Sequence, residues 1–313
     1  MGSRAVKVLG KLVRVLDAFT RELARPRTVD SGSNPQIGLA LGGGFARGLA
    51  HIGVIRVLQQ ENIPIGFVAG TSVGSVIGAG FCCGLSAEEL EDVALRVRFK
   101  HFARWTISRF GFASNDRMTG FLRRTLKSMT FEELEIPLAV TATDFVTGDA
   151  VVFRSGDVID PVRASCAYPG MFLPVNLGGR LLVDGMLSNA VPTLPLREMG
   201  ARRVIAVHLN GDGMNLNGPR HIFDVIGQCF SIAQQRMSSV WRSAADVVIN
   251  PDVRGFSYDC FDRAAELIVA GETAARLAMP AIRAWLAEPQ STTLGQSGVA
   301  AAAQPASAPA SSL

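Results

Sequence analysis

Ile65-Gly66-Phe67-Val68-Ala69-Gly70-Thr71-Ser72-Val73-Gly74 is the stretch on which the reading of this chain turns. It lies inside Asn62–Ala87, which carries no charged residue and repeats G-x-x-x-G at Gly70, Gly74 and Gly78; hydropathy alone would make it a membrane span. Pro64 and the six glycines from Gly66 to Gly84 argue against one straight helix. The segment reads instead as a buried strand (Ile65–Ala69), a sharp turn and a buried helix from Val73. Gly70-Thr71-Ser72-Val73-Gly74 is then a G-x-S-x-G at a strand-to-helix turn. Flanking glycines let the chain turn tightly, and the serine hydroxyl stands clear of the sheet edge as a candidate nucleophile. The plain alternative is an ordinary turn serine.

On its N-terminal side, the apolar run Ile37–Leu41 ends in Gly42-Gly43-Gly44-Phe45-Ala46-Arg47-Gly48, followed by helical spacing to Glu61. A glycine loop opening a helix offers backbone N–H groups to an anion. The spacing is neither G-x-G-x-x-G nor a Walker loop, which disfavours a nucleotide phosphate. A tetrahedral oxyanion fits better, since Ser72 starts the next helix of the same sheet. Arg47 is placed to hold the loop or to add positive charge, with a surface salt bridge as its plain alternative. On the C-terminal side, Val183-Asp184-Gly185 puts a carboxylate at a strand end, where functional groups gather in parallel sheets. Its alternative is a turn or cap aspartate. Chain order also permits a Ser–Asp–His triad through His208 or His221, whereas His51 and His101 read as structural helix residues.

Further strands are expected at Ile136–Thr143, Ala150–Phe153, Val204–Leu209 and Val247–Ile249, with a hairpin over Asn176–Val183 around Gly178-Gly179. Helices are expected at Ser86–Arg98 (capping box Ser86/Glu89), at Val158–Ala167, from Pro219 to Ala244, and at Phe261–Ala287 with an interruption at Pro280. Strands alternating with helices predict an α/β chain with a mainly parallel sheet covered on both faces. The organisation divides into a basic amphipathic helix and linker (1–35), a catalytic domain (36–288) and an Ala/Ser/Pro-rich disordered tail (289–313). The first segment reads either as a helix packed on the domain or as an interfacial membrane helix.

Hydrophobic residues make up 48% of the 313 residues, enough for a large core, and the net charge is only +4. Its distribution is uneven: Arg4–Arg25 carries six basic and two acidic residues, and Arg96–Arg124 eight basic and one acidic. Two basic patches on an otherwise acidic chain suit an anionic surface such as a membrane. The second patch interleaves Phe99, Phe102, Trp105, Phe110, Phe112 and Phe121. No nucleic-acid motif accompanies it, so it reads as a membrane-facing cap, or more plainly as a helical hairpin with a charged side. Five cysteines without metal-ligand or C-x-x-C spacing point to free thiols and a reducing, cytoplasmic setting, and no signal peptide is seen.

The glycine loop with Arg47, the Gly70–Gly74 elbow, Ala164-Ser165-Cys166-Ala167-Tyr168-Pro169 with Pro174, and Asp184-Gly185 resemble, in order and spacing, the motifs of patatin-like phospholipases. The likeness spans about residues 36–250, closest to short bacterial members and to the catalytic domain of neuropathy target esterase. It implies a three-layer α/β/α fold and hydrolysis of fatty-acyl esters of phospholipids or lysophospholipids, without a metal. It implies Ser72 as nucleophile and Asp184 as base, with no catalytic histidine. It also implies an oxyanion hole of N–H groups around Gly43 and Gly44, joined by Val73. Two departures stand out: Met186 follows Asp184-Gly185 where a small residue is usual, and Phe45 replaces a small residue in the loop. A silent lipid-binding scaffold and an acyltransferase are the competing readings.

Overall fold

The computed structural model describes residues 36–287 apart from 109, 210–221 and 258. The segments read from sequence as an N-terminal helix and a C-terminal tail, and His221, therefore lie outside the described residues. Ten strands are described: β1 (Ile37–Leu41), β2 (Ile65–Thr71), β3 (Arg104–Ser108), β4 (Gly111–Ser114), β5 (Leu138–Asp144), β6 (Ala150–Phe153), β7 (Val175–Leu177), β8 (Arg180–Asp184), β9 (Arg203–Val207) and β10 (Val247–Ile249). Eight α-helices accompany them: α1 (Ala50–Gln60), α2 (Val73–Cys82), α3 (Ala87–Arg96), α4 (Asp116–Thr125), α5 (Ile159–Ser165), α6 (Thr193–Glu198), α7 (Ile222–Ser243) and α8 (Ala264–Ala287).

Strands β10, β9, β1, β2 and β5 are parallel neighbours in that order, as apolar strands separated by helices require. Their side chains alternate between two helical layers. Leu39, Leu41, Val68, Ile205 and Val207 face the larger core under α1, α2, α3 and α8. Ala40, Phe67, Ala69, Val204 and Ala206 face a smaller core that includes Leu196 of α6 and Trp241 of α7. Small residues dominate the second face, so its helices sit close to the sheet.

The register around β5 creates the site. β6 pairs antiparallel with Val140–Thr143 of β5, occupying one edge. β2 pairs with Leu138–Thr141 and β8 with Ala142–Asp144, each overlapping the stretch that β6 covers. Both must therefore lie on the opposite edge. β2 and β8 run toward each other along it, and their ends meet: Thr71 opposes Thr141, and Asp184 opposes Ala142.

Helices α1 and α8 approach almost backbone to backbone. A Cβ on Gly53 would fall 1.9 Å from the Ile268 carbonyl oxygen, and one on Gly271 would fall 1.9 Å from that of Ala50. This packing answers the expected break at Pro280. Proline removes one intrahelical bond, but α8 runs on through it, because Leu267, Ile268, Ala275, Met279 and Ile282 are buried on both sides of the proline. The basic aromatic patch also departs from a helical hairpin. Its centre is the two-stranded β3–β4 ribbon, pairing Arg104 with Ser114 and Trp105 with Ala113, between a short 3-10 turn at Phe99–His101 and α4. The Gly178-Gly179 hairpin is present between β7 and β8, with both glycines at positive φ.

Candidate active site

β2 ends at Thr71, and Ser72 turns the chain into α2 at φ 54° and ψ −128°. A non-glycine residue in such a region costs about 1–3 kcal/mol and persists only when its surroundings fix it. Here they do. The Ser72 N–H donates to Ser165 Oγ at 2.8 Å, and Ser165 Oγ donates in turn to the Thr141 carbonyl at 2.6 Å. The Ser72 carbonyl accepts from Ser75 Oγ at 2.6 Å and from the Ser75 N–H at 2.8 Å. Gly74 has no room for a side chain: a Cβ would lie 2.1 Å from the Leu41 carbonyl oxygen.

Ser72 Oγ donates directly to Asp184 Oδ2 at 2.7 Å, and both residues are buried. Asp184 Oδ1 accepts the Met186 N–H at 2.9 Å, and the Asp184 N–H donates to the Ala167 carbonyl at 3.0 Å. The segment Ala164–Pro169 thus holds both partners, Ser72 through Ser165 and Asp184 through Ala167. Burial pushes the Asp184 carboxyl up to about 7, against the lowering effect of the Met186 N–H and the Ser72 hydroxyl. Cys166, also buried beside this pair, has its thiol pushed up by desolvation and by the charge of Asp184.

A serine triad would interpose an imidazole between these groups; here the hydroxyl meets the carboxylate itself. His208 follows β9 and packs its ring 5.0 Å from that of Trp241, in the core of the opposite layer. His51 does more than fill α1. It is fully buried, and burial lowers its pKa to about 4, so it is neutral. With Gly42 O as its partner at 2.8 Å, Nε2 must carry the proton and donate.

The glycine loop is fastened at several points. The Gly42 N–H donates to the Val207 carbonyl and the Gly43 N–H to the Ala190 carbonyl, each at 3.1 Å. Arg47 Nε and Nη2 donate to the Phe256 carbonyl at 2.9 and 2.6 Å, so its guanidinium ties the loop to the segment before α8. Among the described residues, neither the Gly44 nor the Val73 N–H has an acceptor. Gly43 lies against the site through its Cα: a Cβ there would meet Met186 Cγ at 2.3 Å and Ser72 Cβ at 3.4 Å. Met186 therefore fills the space beside a glycine and supplies an N–H to Asp184. Phe45, at φ 54°, turns its ring toward Phe172, Tyr168 and Phe261 at 6.2–6.4 Å.

Behind Ser72 opens an apolar cavity of about 110 Å³. Three helices each give it a stripe at helical spacing: Val73, Val76, Ile77 and Gly80 from α2, Leu90, Val93 and Ala94 from α3, and Met118, Phe121, Leu122 and Thr125 from α4. Phe45, Phe172 and Phe261 line it as well. His51 is the structural helix residue its sequence suggests, and three contributors are not legible in the sequence: Ser165, quoted only as part of a motif; the Gly42 carbonyl as the partner of His51; and the cavity. Each depends on a partner more than eight residues away in sequence. Among the described residues, no cluster of His, Cys, Asp or Glu is arranged to hold a metal ion, and no helix is long and apolar enough to cross a membrane.

The sequence profile of the patatin-like phospholipase family matches residues 39–197, from β1 through most of α6. The chain belongs to the patatin-like phospholipase family. An uncharacterised NTE-family protein of Mycobacterium tuberculosis is 36% identical over 58% of this chain and 51% of its own length. Lysophospholipase NTE1 of Mycosarcoma maydis is 34% identical over 70% of this chain but only 12% of its own. The chain thus spans about half the length of the mycobacterial relative and a small part of the fungal one. Among solved structures, VipD from Legionella pneumophila aligns with 78% of this chain and 66% of its own at a TM-score of 0.48 and 13% identity.

Proposed function

We propose that the protein is a serine lipid-acyl hydrolase that cleaves fatty-acyl esters of phospholipids or lysophospholipids. The observation that carries this reading is the Ser72–Asp184 hydrogen bond at 2.7 Å, placed at the wall of an apolar cavity. Asp184 takes the Ser72 proton as Oγ attacks the ester carbonyl. The oxyanion forms within reach of the Gly44 and Val73 N–H groups. Protonated Asp184 then hands the proton to the departing alcohol, leaving an acyl-serine. Water, deprotonated by the same carboxylate, attacks the acyl carbon, and Ser72 recovers its proton as the fatty acid leaves. A carboxyl at about 7 suits both halves of this cycle, because near neutral pH it can accept a proton and return it.

Peripheral contact with an anionic membrane belongs to the same proposal. Trp105, Phe110 and Phe112 on the β3–β4 ribbon are exposed, at 65%, 65% and 53%. The ribbon is joined to the cavity wall through the Phe112 and Ala113 N–H groups, both donating to the Met171 carbonyl beside Phe172. Arg104 at its start and Arg117 and Arg124 on α4 supply positive charge.

The test is fatty-acid release from short-chain nitrophenyl esters and from lysophospholipid vesicles. Ser72→Ala and Asp184→Asn abolish release while His208→Ala keeps it; loss in all three folded variants would favour a triad. Lipid binding without release in the wild type would favour a silent scaffold, and acyl transfer exceeding release would favour an acyltransferase.

A further inference from the structure

The cavity lining follows the chain from Ser72, just before α2, to Gly80 within it, eight residues on, which at 1.5 Å per residue is about 12 Å. Residues from Leu90 to Ala94 of α3 and from Met118 to Thr125 of α4 line the same cavity. At the far end, Gly80 faces Leu90: a Cβ on Gly80 would come within 2.7 Å of Leu90 Cδ2, with Leu85 Cδ1 at 3.5 Å. Gly80, Leu85 and Leu90 are buried, so this end is closed by apolar side chains, not by solvent. The contact that a larger residue 80 would meet is the tip of a flexible side chain, that of Leu90, a residue of the cavity lining.

We infer that the Gly80–Leu90 contact is the stop of an acyl-chain ruler, setting the chain length of the fatty-acyl ester that the site holds fully extended. The inference rests on the hydrolase reading, because it takes Ser72 as the point where the acyl carbon is anchored. An extended chain of roughly nine or ten carbons spans the distance from Ser72 to Gly80. Each added methylene up to that length is buried and raises kcat/KM about four-fold. Methylenes beyond it meet Leu90 and add nothing.

The two ends of the contact allow opposed substitutions. Gly80→Ala drives Leu90 inward and shortens the cavity; Leu90→Ala removes the stop and lengthens it. The experiment measures kcat/KM for nitrophenyl esters of four to sixteen carbons, all presented in the same detergent micelles. The expected wild-type profile rises to about ten carbons and then levels or falls. Gly80→Ala moves the break down and Leu90→Ala moves it up, by roughly two carbons each. General damage lowers the whole profile and does not move its break in opposite directions. If Leu90→Ala does not fold, Leu90→Val makes the same test with a smaller shift. Breaks that stay put in both variants, or a wild-type profile still climbing at sixteen carbons, overturn the ruler while leaving the hydrolase reading intact. If the wild type cleaves no ester, that reading fails. Equilibrium binding of free fatty acids to the same three proteins then decides the ruler by the same break.

Discussion

Two adjacent parallel strands, β1 and β2, each run into a helix through one non-glycine residue with φ near 54°: Phe45 after β1 and Ser72 after β2. The backbone device is the same, and its use differs. At Ser72 both the N–H and the carbonyl are engaged by side chains, from Ser165 and Ser75, and the hydroxyl is handed to Asp184. At Phe45 the anchors sit on neighbouring residues: His51 on Gly42, Ala190 on Gly43, Phe256 on Arg47. Among the described residues the Gly44 N–H next to Phe45 has no acceptor, and the ring becomes cavity wall. One turn is locked to aim a side chain; the other is locked around a gap to present backbone. In the proposed mechanism strain by itself therefore does not mark the nucleophile, and what the surrounding groups leave unsatisfied separates the two proposed roles.

Several perturbations break or sharpen this contrast. The largest effect belongs to the Ser72 turn: Ser72→Ala lowers kcat/KM by at least about 10³-fold with an unchanged thermal midpoint, read by ester hydrolysis and calorimetry. Next comes proton inventory. With Asp184 at about 7, kcat/KM falls about tenfold per pH unit below that value, approaching a hundredfold at pH 5. Stability moves the other way. The folded state holds the Asp184 proton to higher pH than the unfolded chain does, so this group favours folding most below about 4, and that contribution fades as pH rises to 7. Asp184→Asn, which cannot ionise, therefore gains thermal midpoint relative to wild type between pH 4 and 8; a constant difference across that range would refute the burial argument.

Ser165→Ala leaves the buried Ser72 N–H without its acceptor and costs roughly 10- to 100-fold in kcat, with KM little changed. His51→Leu frees the Gly42 carbonyl on the other turn. Because it acts through the loop and not on the substrate, it lowers kcat about tenfold and leaves the pH midpoint of the rate in place. Phe45→Gly gives the smallest change, a few-fold rise in KM for long-chain esters from the lost wall, with short-chain esters unaffected. A large loss of kcat in that variant would instead make Phe45 a partner in the chemistry.

The sequence showed most of the sheet and both halves of the proposed dyad, because these are written locally. β1, β6 and β10 fall where apolar runs bounded by glycine or polar residues put them, and Ser72 and Asp184 stand at strand ends beside glycines. The β3–β4 ribbon escaped notice although Arg104–Ser108 alternates polar and apolar residues, because it is only five residues long and its large aromatic, Trp105, is exposed; outside the ribbon it is held, among the described residues, by a single bridge, Ala113 to Phe172. The head-on meeting of β2 and β8 depends on a register shared through β5, and Ser165 matters only because Thr141 lies behind it. No periodicity along the chain carries such three-body geometry.

The backbone contact of Gly53 with α8 bears on where the working unit ends. The family match stops at residue 197, yet α8, which begins at Ala264, is pressed against the helix that holds His51 and, through it, the Gly42 carbonyl. Arg56 on the same helix adds a second tie, pairing with Glu272 of α8 and Glu91 of α3. A fragment trimmed to the matched segment would keep every residue of the proposed chemistry while exposing the back of α1. In such a fragment the parts of the proposed chemistry would all be present without the frame that keeps them in register, so the unit able to carry it includes α8.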